Sequence, residues 1–111
     1  MKLKFRAIDI TEIEEERGIP LISIINDTRI QNLALFVQKG LKKLDGTEYS
    51  KEEIYQKIDE YLVKKDTDEL LFEITEALQK GGFLPRTMKL KEIFGLKETI
   101  VQEVTETMKQ I

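Results

Sequence analysis

The sequence predicts an all-α fold: a small single-domain bundle of about five to six helices, with a short extended segment at its N-terminus. Three observations predict it. Apolar residues recur at three- and four-residue steps through most of the chain, and capping and stop signals punctuate those stretches. The composition, 41% hydrophobic and 35% charged over 111 residues, is that of a soluble helical protein rather than a disordered or membrane one. A chain of this length buries roughly two thirds of its unfolded surface, enough for one modest core.

Leu3, Phe5 and Ala7 alternate with Lys2, Lys4 and Arg6, a period-two pattern that reads as either a short strand or an extended arm. From Asp9 the pattern changes. Asp9-Ile10-Thr11-Glu12 has capping-box spacing, acids crowd the first turns and Gly18 offers a left-handed stop, which predicts a helix over about 9–17. Pro20 suits the first turn of a second, short helix, with Leu21, Ile22, Ile24 and Ile25 packing inward and Asn26-Asp27 ending it.

Thr28 is a good cap for the central helix, whose stripe is Ile30, Leu33, Ala34, Val37, Leu41 and Leu44, with Leu35 and Phe36 pointing off it. Gly40 interrupts this helix, a cost relieved where a neighbouring helix needs close approach. Asp45-Gly46 is a turn signal, and Ser50-Lys51-Glu52-Glu53 is a second capping box. The helix it opens buries Ile54, Ile58, Tyr61 and Leu62. Thr67 or Asp68 caps the next, which carries Leu70, Leu71, Ile74, Ala77 and Leu78 and closes at Lys80-Gly81-Gly82; Phe83-Leu84 then fold back before Pro85.

Residues 1–84 therefore read as a helical core domain. Residues 85–111 read as a C-terminal helical segment, packed on the core or used for partner contact. Its Val101, Val104, Met108 and Ile111 follow a heptad-like seam too short for a coiled coil, and such a narrow stripe needs a partner surface.

Catalytic equipment is sparse. With no histidine and no cysteine, the usual zinc sites, thiol nucleophiles and imidazole bases are excluded. Of the two serines, Ser50 is accounted for by capping and Ser23 lies in an apolar stretch. The Asp45–Glu52 loop fails as an EF-hand, because the first and third ligand positions fall on Leu41 and Lys43. A helix-turn-helix reading of 50–80 fails because the second helix presents Asp68, Glu69, Glu73 and Glu76 to phosphates. Carboxylate pairs at glycosidase spacing would lack a tryptophan to stack a sugar, and there is no glycine-rich phosphate loop. The expectation is a non-enzyme with no cofactor and no metal.

Eighteen basic and twenty-one acidic side chains give a net charge of −3, which disfavours nucleic acid and anionic lipid as partners. Lys39, Lys42 and Lys43 form the tightest basic group, placed where cations oppose the negative end of a helix dipole. The longest apolar run, Ile19–Ile25, is broken by Pro20 and Ser23 and is too short to span a bilayer, and no secretory h-region follows Met1; a cytoplasmic location is expected. Among the phenylalanines, Phe36 and Phe72 lie off their helices' main stripes. Phe72 is assigned to burial, while Phe36 is either buried or an exposed anchor.

The order of elements also resembles a known family. Phe5-Arg6-Ala7-Ile8, the Glu-rich first helix closing in Arg17-Gly18-Ile19-Pro20-Leu21, the long helix around Asn32-Leu33-Ala34-Leu35, Glu52-Glu53-Ile54 and Gly82-Phe83-Leu84 are similar to the tail assembly chaperones of long-tailed phages and prophages of Gram-positive bacteria. The resemblance spans about residues 1–84. It implies a mostly helical, non-enzymatic protein of the host cytoplasm that binds the tape-measure protein and keeps that hydrophobic helical chain soluble. It also implies a longer frameshifted product whose extra domain recruits the tail-tube protein. No residue-level binding motif accompanies the family. From the residues, the candidate partner contacts are Phe36, Phe94, Ile100, Val101, Val104 and Met108, with packing on the chain's own domain and homo-oligomer formation as the other uses of that stripe. The alternative function is a small dimerising regulatory or structural domain of a mobile element.

Overall fold

The N-terminal alternation is realised as an extended arm. In the computed structural model, which describes residues 1–85, Phe5 is buried, Met1 and Leu3 pack partly against the core, and the Lys4 amide donates to the Gly40 carbonyl at 3.0 Å. Five helices follow: α1 (Ala7–Arg17), α2 (Leu21–Ile25), α3 (Ile30–Gly40), α4 (Lys51–Leu62) and α5 (Thr67–Lys80). Among the described residues the one β-like feature is an isolated antiparallel bridge between Lys42 and Glu48, so the fold is all-α.

α1 begins earlier than its acids suggested. Arg6 is the N-cap, and Asp9, read as a cap, is instead the third helical residue; its carboxylate reaches back to accept the Arg6 amide at 2.9 Å. The predicted stop holds, with Gly18 left-handed at φ 70° and its amide donating to the Glu14 carbonyl. Pro20 stands just before α2 as its N-cap, and the Glu14 carboxylate accepts the first free amide, that of Leu21, at 2.8 Å. Leu21, Ile24 and Ile25 face inward, but Ile22 is exposed, because a single turn and a half can turn only one side to the core.

α3 is the hub, packed against α1, α4 and α5. Surrounded on several sides, it buries Leu35 and Phe36 as well as Leu33, Ala34 and Val37. Thr28 is not its cap. Arg29 holds that position without a side-chain cap, and the Asp27 carboxylate accepts the Arg29 amide at 3.2 Å. The helix stops at Gly40 rather than continuing to Leu44, and Leu44 is fully exposed beside the Asp45-Gly46 turn. In that turn Asp45 Oδ1 accepts the Thr47 amide at 3.0 Å and the Lys43 amide donates to the Thr47 carbonyl at 2.9 Å.

The Ser50 capping box is present in both directions, with Ser50 Oγ accepting the Glu53 amide and Glu53 Oε1 accepting the Ser50 amide. Asp66, one residue before the expected Thr67, caps α5 by accepting the Glu69 amide at 2.9 Å. Leu70, Leu71, Ile74 and Leu78 bury the inner face of α5, and Leu84 returns to the core as the glycines allow. No helix among the described residues is long and apolar enough to cross a membrane.

Gly40 does serve a close approach, though the partner is the N-terminal arm and not a helix. A Cβ at this position would lie 2.8 Å from the Phe5 ring, which itself meets Phe36 edge-on at 6.2 Å. Gly40→Ala is therefore expected to destabilise the protein by about 1–3 kcal/mol through overpacking, despite alanine's better helix propensity. A urea titration checks the sign: a more stable variant would mean that the arm moves aside freely.

Candidate functional site

The first candidate to resolve is the basic group at the end of α3. Lys39 Nζ lies 2.6 Å from Glu12 Oε2 and 3.3 Å from Glu48 Oε2, Lys42 Nζ lies 3.4 Å from both Asp9 and Glu48, and Lys43 Nζ lies 3.9 Å from Glu53. Each ammonium already has a carboxylate, so the group acts as a tie between α1, α3 and the Asp45 turn rather than as a phosphate grip. At its centre Asp9 is only 1% exposed. Burial pushes its carboxyl pKa up, but hydrogen bonds from the Arg6 side chain and amide and the charge of Lys42 outweigh this and hold it below its ordinary value. Lys39 behaves in mirror image: burial disfavours its charge, and Glu12 and Glu48 more than restore it.

A second polar junction ties the arm to the last helices. Glu73 accepts from the Met1 ammonium at 2.7 Å and from the Tyr61 hydroxyl. Burial, then the adjoining Glu73 carboxylate, raise the Tyr61 hydroxyl's pKa. In both junctions the charged groups are engaged with one another.

A groove of about 180 Å³ between α1, α3 and α4 is different. Its floor is apolar, formed by Ala34, Leu35 and Ile54, all buried. Arg17 on α1 and Lys51 with Tyr55 on α4 form its walls, and the amides of Gln31 and Gln38 border it from α3. Arg17 Nη2 donates to the Gln31 carbonyl at 3.2 Å, but Arg17 Nε is shielded from water without an acceptor, an omission that ordinarily costs about 1–3 kcal/mol. Lys51 Nζ sits 6.0 Å from the Tyr55 ring centroid and has no carboxylate among the described residues. Sequence reasoning missed this site. It places Arg17 before a stop and Lys51 after a cap, but only the packing of α1 and α4 on α3 brings the two cations to one groove.

The candidate partner contacts divide sharply. Phe36 is 1% exposed and packs against Phe5, so it is not an exposed anchor; α3 packs against α1, α4 and α5. Phe94, Ile100, Val101, Val104 and Met108 lie outside the described residues. Phe72, assigned to burial, is instead 41% exposed, because α5 turns Leu71, Ile74 and Thr75 to the core and Phe72 follows Leu71 round to the outer side. Ile8, Ile19, Ile22, Ile30 and Val63 are further large apolar side chains open to solvent.

Comparisons of the chain with protein-family models, curated proteins and solved structures find no match, so its functional reading rests on the residues and their geometry.

Proposed function

We propose that the chain is a phage tail assembly chaperone that binds the tape-measure protein and keeps it soluble, without enzymatic activity. The observation that carries the reading is the contrast between a well-filled helical core and the large apolar side chains left outside it, Phe72, Val63, Ile8 and Ile22 among them. Apolar surface on a charged helical domain suits it to shield the apolar stripes of another helical chain while the complex stays dissolved. The ordered resemblance over residues 1–84 supports the same reading. A longer frameshifted product contacting the tail-tube protein belongs to it as well.

Co-purification with the tape-measure protein tests the proposal, using the full chain and a chain ending at Leu84. The full chain is expected to retain its partner, and loss of the partner on truncation assigns contact to Phe94, Ile100, Val101, Val104 and Met108. Unchanged binding by a stably folded truncation removes that assignment and places contact on residues 1–84. A full chain that retains no tape-measure protein but sediments as a dimer favours the alternative, a dimerising regulatory or structural domain of a mobile element.

A further inference from the structure

We propose that the groove between α1, α3 and α4 receives an acidic segment of another polypeptide, a glutamate or aspartate held by Arg17 and Lys51 with a neighbouring apolar side chain on the Ala34–Leu35–Ile54 floor. The choice of a polypeptide as ligand rests on the chaperone reading; the choice of an acidic one rests on the groove.

What marks the groove is that two cations without an ion pair line the same concavity, whereas Arg6, Arg29, Lys39, Lys42 and Lys43 each have a carboxylate within ion-pair distance. Arg17 and Lys51 have none among the described residues, although one carboxylate, that of Glu16, lines the same groove. Two cations and one carboxylate thus border this concavity, a local excess of positive charge in a protein of net charge −3.

The Arg17 guanidinium is half engaged. Its Nη2 leans on the Gln31 carbonyl, while the adjacent Nε–H has neither protein acceptor nor water contact. An incoming carboxylate is the acceptor that matches this fork, because it can take Nε–H and an Nη2 proton side by side once the guanidinium turns outward. Phosphate would fit the fork equally, but the small apolar surface at the base of the groove gives an amino-acid side chain a contact that a phosphate cannot use.

Lys51 breaks a local rule. As the first residue of α4 it sits at the positive end of the helix dipole, directly after the Ser50 cap, where an acid is the favoured choice and where Glu52 and Glu53 follow. Residues that violate local preference concentrate where a site requires them. Its ammonium lies over the Tyr55 ring, which holds the charge at the groove rim.

The test uses the full chain and two short amphipathic helical peptides with the same leucine face, one flanked by glutamates and the other by lysines. Binding is followed through the Arg17 Nε–H resonance in nitrogen-15 spectra. The glutamate peptide is expected to shift that resonance and the Lys51 amide, and the lysine peptide to bind about tenfold more weakly or not at all. Arg17→Gln and Lys51→Gln should each weaken the glutamate peptide by about tenfold. Lys51→Gln keeps the test valid should the Arg17 variant lose its fold, since Lys51 is exposed and its ammonium has no ion pair among the described residues. Equal binding of both peptides, an unmoved Nε–H signal, or full affinity in a folded variant overturns the proposal. Tape-measure co-purification by a protein that ignores the glutamate peptide would sink the groove and leave the chaperone reading standing; the reverse pattern would do the opposite.

Discussion

Phe36→Ala is expected to lower the free energy of unfolding by about 3–5 kcal/mol, the cost of emptying a large aromatic site in a close-packed core. Whole domains of this kind are stable by only about 5–15 kcal/mol, so the variant should lose between about a fifth and all of its stability. The size of the effect follows from position. Phe36 lies on the hub helix, is essentially inaccessible to water, and braces the Phe5 ring that in turn covers Gly40. Removing it leaves Phe5 without its edge-on neighbour and loosens the arm as well as α3. Chemical denaturation of the variant and the parent measures this; a loss below about 1 kcal/mol would mean that the site collapses freely and that the aromatic pair does not anchor the arm.

The next largest effect is expected at Asp9. Asp9→Asn retains the shape but removes the charge met by Arg6 and Lys42 and weakens the bond to the Arg6 amide, for an expected loss of about 1–3 kcal/mol at neutral pH. The loss should depend on pH with a definite sign. The folded protein holds the Asp9 carboxyl below its ordinary value of 3.8, so its contribution is complete above that value and disappears as pH falls through the lower, folded value. The stability difference between parent and variant should accordingly shrink in acid. Asp27 also titrates low, at about 2 in its pairing with Arg29, as do Glu53 and Glu73, so the parent alone loses stability for several reasons. The difference curve isolates Asp9. A difference that stays constant from neutral pH into acid would show that Asp9 is not ionised in the fold.

The local punctuation of this fold was legible in the sequence. Ser50 and Glu53, Gly18, and the turn at Asp45-Gly46 act through hydrogen bonds a few residues long, and each does what its spacing predicted. Errors fell where adjoining residues compete for one cap or where tertiary context decides. Asp9 looks like a cap by its neighbours, but it stands third in α1 and its carboxylate reaches back to the Arg6 amide, with Lys42 at 3.4 Å on its other side. Thr28 and Thr67 are plausible caps displaced by adjoining residues, Arg29 and Asp66. Leu44 fits the α3 stripe, yet the helix has already ended where the arm takes the Gly40 carbonyl.

The burial of Phe36, left open by the sequence, and the exposure of Phe72, expected to be buried, have one origin. A stripe analysis assumes one buried side per helix, and α3, with three packed neighbours, has no such single side. α5 does, and Phe72 falls outside it. The groove was invisible for a different reason. Arg17 and Lys51 belong to separate helices and have no shared spacing, so their common charge becomes a site only after both helices dock on α3.

The proposed function makes one demand more direct than any other. A tape-measure protein produced alone should collect in the insoluble fraction, and its co-expression with this chain should move most of it into the soluble fraction as a complex that survives gel filtration. A tape-measure protein that stays insoluble with this chain present in excess would contradict the account.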